Sequence, residues 1–452
     1  MIMPETIFFS GLHLKNIKGL NADYFLNLKD DDGNPVRWTV LLGNNNTGKT
    51  TLLRCFASMQ VKKERNENTN SKYKYNHSIP NEFLFKDYHS QFKVHENYFV
   101  KANLLLSEAV EGKIVAYKRD GNNFKMTESR KELHDFFGFE GNVHGSVSYG
   151  YEVDNVYVPT PKLFDLLKVY GYGTSRRISD LALSSKDDDE YGVISLFSDK
   201  KDLLNIEEWL LQLDYAKKNG VKGAEDILDK IINLITSEIL PGLTEVKFLI
   251  SKDSNFKPQV EVLSNNTWVH INDLGYGYQA TMAWLADLAK RMFDRYPELE
   301  NPLHGPAIVL VDEIDLHLHP EWQRKIIKYL SDLFPNTQFI VTAHSPLIVQ
   351  SAENVNLIML EKDEETGSIN VRQQFGSFQG WTVEEILREL MDMGEKTRSD
   401  RFLNLLEKFE KGLLEEDYDQ AKAAYDELDK ILHPASSQRK LLSIQLSSLV
   451  PA

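Results

Sequence analysis

The run Gly43-Asn44-Asn45-Asn46-Thr47-Gly48-Lys49-Thr50 is a complete G-x4-G-K-[ST] phosphate loop. Such a loop carries meaning only with a buried strand before it and a helix after it. Both flanks are present. Trp38-Thr39-Val40-Leu41-Leu42 reads as a buried strand, and Thr51-Leu52-Leu53-Arg54-Cys55-Phe56-Ala57 as an amphipathic helix. The combination predicts an α/β fold with the loop at the end of a sheet strand. Gly43 and Gly48 let the backbone curl so that its N–H groups point inward, and the helix dipole adds positive potential for a phosphate. Lys49 is then aimed at the β- and γ-phosphates of a nucleotide, and Thr50 at a Mg²⁺ ion. A Gly/Asn-rich surface turn would need neither the lysine nor the matched flanks.

A second element far downstream completes the site. Ala307-Ile308-Val309-Leu310-Val311 is an apolar run of the kind that is buried on both faces of a parallel sheet, and it ends in Asp312-Glu313. Acidic residues at that strand end fall where open α/β sheets place their ligands. Asp312 is the expected Mg²⁺ partner and Glu313 the group that polarises the attacking water. A third strand, Gln338 to Ala343, leads into His344-Ser345-Pro346, where a neutral His344 would hydrogen-bond a γ-phosphate. A core strand followed by an acidic turn explains Asp312 alone, but not the whole set.

Leu274-Gly275-Tyr276-Gly277-Tyr278-Gln279 precedes an apolar helix, Ala280 to Met292. Together with Leu14-Lys15-Asn16-Ile17-Lys18-Gly19, the phosphate loop, Asp312-Glu313-Ile314-Asp315-Leu316-His317-Leu318-His319-Pro320 and Thr342 to Pro346, it resembles the ABC-type ATPases related to RecF, SMC and the OLD family. The D-E-x-D-x-H-L-H-P run is the most specific of these and is typical of the OLD-like group of bacterial anti-phage systems. The resemblance covers roughly residues 1–60 and 270–350. It implies an ABC-type ATPase head with a mixed sheet around the phosphate loop, a long α+β insertion and a helical C-terminal region. Its cofactors would be ATP and Mg²⁺. Nucleotide contacts would come from residues 43–50 and from Thr51, Asn16, Leu274, Gly275, Gly277, Gln279 and Asp315.

Two heads would sandwich two ATP molecules, as a homodimer or a higher homo-oligomer. Residues 274–279 of one subunit would then face the phosphate loop of the other, and Asp315 would lie in a loop that crosses the interface. This chain departs from the L-S-x-G-x-Q signature at Gly275, which stands where serine is usual and removes one expected phosphate contact. Val169-Tyr170-Gly171-Tyr172-Gly173-Thr174-Ser175-Arg176-Arg177 resembles a Y-G-x-x-R-R segment of the same ATPases. His317 and His319, an i, i+2 pair beside Pro320, have poor zinc spacing and are read as structural.

The expected domains are 1–58 and 271–375 for the two parts of the ATPase lobe, 59–270 for the insertion and 376–452 for the helical region. The insertion is read as a polar, basic loop (Lys62, Lys63, Arg65, Lys72, Lys74), then strands at Tyr98–Leu106 and Lys113–Tyr117. A turn at 120–123 leads on to Phe124–Met126. An acidic surface loop at 185–190, helices near 202–218 and 223–239, and strands near 245–250, 258–263 and 267–271 follow. Helical spacing returns at Val383–Met393, Arg401–Leu414, Tyr418–Leu432 and Arg439–Leu449. Between Glu407 and Lys430 there are nine acidic and four basic residues. That bias makes the region a docking platform for a basic partner, unless it is simply a cap on the lobe.

Composition sets the remaining limits. The 452 residues are 42% hydrophobic, ample for a large lobe and a second region. Cys55 is the single cysteine, so no disulfide forms within one chain, which fits a reducing cytoplasm. No signal peptide or membrane-spanning run is read. The net charge of −15 argues against a protein that grips DNA over its whole surface, so contact with DNA or another nucleic acid would be local, through the basic run at 62–74, or made by a partner. No heptad array long enough for an SMC arm occurs. No acidic cluster of TOPRIM type follows residue 350, and no H-N-H metal motif is found, so the chain itself is not expected to be a nuclease.

The resemblance therefore implies an ATPase subunit of an anti-phage complex that holds and regulates a separate HNH or TOPRIM nuclease. PtuA-like ATPases of Septu and retron systems are nearest, and the AriA-like ATPase of the PARIS system second. The alternative is a RecF-like DNA repair ATPase that binds DNA directly, and a third reading, a degenerate ATP-binding scaffold, conflicts with an intact Lys49 and Glu313.

Overall fold

The computed structural model describes residues 7–17, 20–65, 73–77, 98–106, 115–120, 123–129, 132–141, 147–150, 156–157, 166–179, 192–250, 256–363, 365–391, 394 and 398–449; between 61 and 157, and at Asn16 and Asn21, only the backbone is described. The chain divides into two compact units, residues 1–381 and 382–452.

The first unit is built on a six-stranded mixed sheet. Its spatial order is Val169–Tyr172, Ala307–Val311, Thr337–Thr342, Trp38–Gly43, Val355–Lys362 and Ile369–Gly376. The first five strands are parallel and the last is antiparallel. Ala307–Val311 and Thr337–Thr342 are buried at every position, as central parallel strands covered on both faces must be. Val169–Tyr172 falls inside the expected insertion, yet it forms an edge of this sheet.

One face of the sheet packs on the phosphate-loop helix, Lys49–Ala57. Leu41, Ile308, Leu310, Ile340, Ile358 and Leu360 join Leu52, Leu53 and Phe56 in a single core. The same core takes in Ile7, Phe9, Leu12 and Leu14 of the strand Ile7–Ile17, which lies in a second, antiparallel five-stranded sheet. A strict alternation would send Ile7 and Phe9 to one side and Leu12 and Leu14 to the other. The register shift between Phe9 and Gly11 inserts one residue and returns all four to the core. On the opposite face of the central sheet Trp38 stacks on Phe339 at 4.4 Å. Tyr172 meets Trp284 of the helix Tyr276–Arg295 at 5.6 Å and donates to Asp287 Oδ2 at 2.9 Å.

Gln338 joins the two sheets. Its side chain accepts from Phe9 N at 3.0 Å and donates to Phe9 O at 2.8 Å, so it imitates a strand partner inside the core. Replacing it with leucine leaves both backbone groups without partners in a dry interior. We expect Gln338→Leu to cost about 2–6 kcal/mol, at roughly 1–3 kcal/mol per orphaned group, read as a lowered chemical-denaturation midpoint with an unchanged slope.

The polar run after the phosphate-loop helix is not a loop throughout. Val61–Arg65 and Tyr73–His77 pair as antiparallel strands, because Tyr73, Tyr75 and His77 recur with period two. Tyr98–Leu106 is a strand with the expected limits. Val115–Asp120 and Asn123–Ser129 pair as the predicted hairpin, with Asp120 opposite Asn123. The acidic stretch at 185–190 lies outside the described residues. Downstream, the helices Ile206–Lys218 and Ala224–Ile235 and the strands Leu243–Ile250, Pro258–Ser264 and Thr267–His270 stand where the periodicity puts them.

The second unit contains the helices Val383–Glu389, Asp400–Leu414, Tyr418–Ile431 and Ser437–Ser447. Thr382 and Glu385 form a full capping box, and Ser399 and Asp417 cap the next two helices. Phe402, Phe409, Ala421, Ala424, Leu428, Leu442 and Leu446 give the unit its own core. The mixed α/β sheet and the C-terminal helices agree with the expected fold class. Among the described residues no helix is long and apolar enough to cross a membrane.

Candidate nucleotide site

The loop from Gly43 to Thr50 curls through left-handed conformations at Gly43 (φ +146°), Asn46 (φ +64°) and Gly48 (φ +96°). Gly43 admits no side chain, since a Cβ there would stand 2.4 Å from the Leu360 carbonyl oxygen. Lys49 Nζ bends back over the loop and donates to the carbonyls of Gly43 at 2.7 Å and Asn44 at 2.9 Å. Burial pushes the Lys49 pKa down, while Asp312, Glu313 and Asp315 pull it the other way. Thr47 Oγ1 donates to Asn44 O at 2.8 Å, and Asn44, Asn45 and Asn46 are exposed. At the start of the following helix Gly48 gives no side-chain cap and the first turn holds no acidic residue, so the helix end keeps the positive potential that attracts an anion. Thr51 lies buried in the first turn.

Three parallel strands end side by side here, which brings distant residues together. Asp312 Oδ2 accepts from Thr50 Oγ1 at 2.8 Å, and its Oδ1 accepts from Thr342 Oγ1 at 2.6 Å. Thr342 Oγ1 also accepts from Glu313 N at 2.6 Å. A carboxylate held rigidly beside a threonine hydroxyl is a donor set suited to Mg²⁺, which takes one or two protein oxygens and keeps several waters. Glu313 sits at φ +48°, a conformation that side chains other than glycine rarely adopt and that persists where the surroundings enforce it. Its Oε1 lies 4.0 Å from His344 Nε2, and both side chains are about one third exposed. His344 N donates to Asp315 Oδ2 at 3.0 Å, while Asp315 Oδ1 is buried without a hydrogen-bond partner. The Asp315 carboxylate is thus turned into its own chain.

Arg176 belongs to the same cluster. The residue is 3% exposed, and its guanidinium donates to the carbonyls of Asp312, Glu313 and Gly173. Burial lowers its pKa to about 10, with Asp312, Asp315 and Glu313 opposing the fall. Reading the sequence missed the contributions of Thr342 and Arg176. The signal for Thr342 was a hydroxyl closing an otherwise apolar strand, and for Arg176 the Y-G-x-x-R-R likeness.

The signature-like segment stands at a separate helix start. Gly275 is the N-cap of Tyr276–Arg295, four residues earlier than the apolar pattern suggested, and Gly275 and Tyr276 are exposed. Gln279 Nε2 donates back to the carbonyls of Asn272 at 2.6 Å and Leu274 at 2.8 Å, fixing the loop. Gly277 lies so close to the acidic-strand loop that a Cβ would sit 2.5 Å from the His317 carbonyl oxygen. Tyr276 meets the His317 ring edge-on at 4.6 Å. His319 Nδ1 accepts from Glu321 N at 3.4 Å, at the start of the helix Pro320–Gln323. Asn16 lies at the register irregularity between Lys15 and Ile17, and its side chain is outside the described residues.

A family model described as an AAA ATPase domain matches residues 178–349. The matched span takes in the signature-like loop, Asp312, Glu313 and His344, and begins beyond the phosphate loop. The Septu protein PtuA of Bacillus thuringiensis is 46% identical over 145 residues, covering 31% of this chain and 36% of that protein. The retron Vc95 probable ATPase of Vibrio cholerae serotype O1 biovar El Tor is 26% identical over 409 residues, covering 77% of this chain and 73% of that protein. Among solved structures, an SMC head domain with an extended coiled coil, derived from Pyrococcus furiosus, aligns with a TM-score of 0.44 at 13% identity, over 85% of this chain and 99% of that one. The chain spans about a third of the PtuA relative it matches. The expected likeness of the chain to PtuA-like and retron ATPases is borne out.

Proposed function

We propose that this chain binds and hydrolyses MgATP at the site around Lys49 and Glu313, and serves in the cytoplasm as the ATPase subunit of an anti-phage complex that holds a separate nuclease. The observation that carries the reading is the Asp312 carboxylate, shared between the Thr50 and Thr342 hydroxyls beside the Lys49-bearing loop. Thr50 and Asp312 would hold Mg²⁺, which when bound neutralises charge on the β- and γ-phosphates. Lys49 exchanges its two loop carbonyls for phosphate oxygens. Backbone N–H groups of residues 43–50 and the helix start cradle the phosphate chain. Glu313 accepts a proton from, or orients, the attacking water, and His344 donates to the γ-phosphate oxygens.

The exposed helix start at Gly275 and Tyr276, which carries no side-chain cap, suits the phosphates of a nucleotide held by a second copy. That supports a sandwiched homodimer or higher oligomer. Docking of the nuclease is assigned to residues 382–452, supported by their separate core and by the acidic excess between Glu407 and Lys430. An acidic face speeds encounter with a basic partner more than it tightens the complex.

Expressing residues 1–381 alongside the neighbouring genes of the native operon tests this assignment. The shortened chain should stay soluble, bind ATP and fail to co-purify with a nuclease that the full chain retains. Retention of the nuclease by residues 1–381 would move the docking surface into the first unit. Absence of any nuclease from the full-length preparation would remove the partner from the account.

A further inference from the structure

We infer that Arg176 is a positioning residue for Glu313: it clamps the backbone on which the water-activating carboxylate is carried. The inference rests on the reading of Glu313 given above and adds a residue to it. Arg176 lies just past the strand Val169–Tyr172, whose neighbour Ala307–Val311 leads directly into Asp312-Glu313. The two strands are parallel, so their following residues emerge at the same end of the sheet. The Arg176 side chain crosses that end, with Nη2 donating to Asp312 O and, at 2.8 Å, to Glu313 O, while Nε donates to Gly173 O at 3.0 Å.

Glu313 is thereby held from both sides. Its N–H is fixed by Thr342 Oγ1 and its carbonyl by Arg176, at a backbone angle of φ +48° that has no support from its own residue type. The planar fork of a guanidinium can reach two successive carbonyls and a third behind it, whereas a lysine ammonium cannot match that fixed geometry. Arg177 is different. It is exposed, lies 3.2 Å from Asp202 Oδ1 and donates to Asp199 O at 3.3 Å. Of the two arginines in the segment, only Arg176 touches the residues that carry the acidic pair.

The clamp predicts a split between chemistry and binding, since no atom of Arg176 is assigned to the nucleotide. Arg176→Lys and Arg176→Gln should each lower kcat for ATP about ten- to a hundredfold, the scale of a lost hydrogen bond to a charged group, with the ATP Kd changed less than about threefold. Arg177→Ala should keep turnover within about twofold, as the loss of an exposed ion pair does. Hydrogen exchange supplies a readout that needs no turnover: amides at 312–317 should exchange faster in the Arg176 variants while Ala307–Val311 stays as protected as in the wild type.

Unchanged kcat together with unchanged exchange at 312–317 overturns the clamp. So does a variant that loses ATP affinity and protection across the whole sheet, because Arg176 would then be a general structural residue. A wild-type chain that fails to hydrolyse ATP sinks the ATPase reading instead, and the exchange pattern alone then decides whether Arg176 holds this turn.

Discussion

Glu313→Gln should abolish most turnover while leaving ATP bound. Removing a positioned general base typically costs about 10²- to 10⁴-fold, and the amide keeps the shape of the carboxylate. Thr50, Asp312 and Thr342 form their hydrogen bonds without the Glu313 side chain, so the Mg²⁺ position survives the change. The Glu313 N–H still meets Thr342 Oγ1, which keeps the turn in place. Single-turnover phosphate release, paired with a filter-binding measure of retained ATP, separates the two effects. With hydrolysis blocked, ATP should also lock one copy against another, seen as a larger species by light scattering only when nucleotide is present. Wild-type turnover in the variant would remove Glu313 from the chemistry, and no ATP-dependent change in size would count against a sandwiched arrangement.

Lys49→Ala should remove ATP binding itself. In this structure Lys49 Nζ is held over the loop by two carbonyls, 7% exposed, so its charge sits at the mouth of the phosphate cradle at little cost in side-chain freedom. A charged group desolvated against a charged ligand is worth about 2–5 kcal/mol when truncated, roughly thirty- to several-thousandfold in Kd. Calorimetric titration with MgATP checks this, and a melting curve guards against a folding defect. The variant should melt near the wild type, because alanine is a good helix former at this first helical position. Binding that persists at wild-type affinity would mean the nucleotide site lies elsewhere.

The site was legible in the sequence wherever one residue type has one physical reason to be there. A glycine at φ +146°, a lysine after a second glycine and an acidic pair closing an apolar strand are each demanded by local chemistry, and the fold sets Lys49 on the Gly43 carbonyl and Thr50 on the Asp312 carboxylate. What stayed hidden depended on tertiary neighbours. Thr342 reads as one more strand residue until the sheet order sets it beside Ala307–Val311. Arg176 lies 136 residues before Asp312, and only the parallel pairing of its strand brings it there. The helix Tyr276–Arg295 begins before its apolar stripe because its first turn is packed on His317 and held by Gln279, not buried in the core. In the strand Ile7–Ile17 the inserted residue breaks the period of two, so a simple alternation count would put half of its apolar residues on the wrong face.

The central claim is that one cluster, from Lys49 and Thr50 to Asp312 and Glu313, holds and cleaves MgATP. The most direct measurement is an experimental structure of the full chain carrying Glu313→Gln, prepared with saturating MgATP. The account predicts a triphosphate lying along residues 43–50, contacted by Lys49, with a metal ion held by Thr50 and Asp312 and with Glu313→Gln facing the γ-phosphate. A nucleotide bound away from that loop, or a saturated sample with the loop empty and Lys49 still on the Gly43 and Asn44 carbonyls, would contradict it.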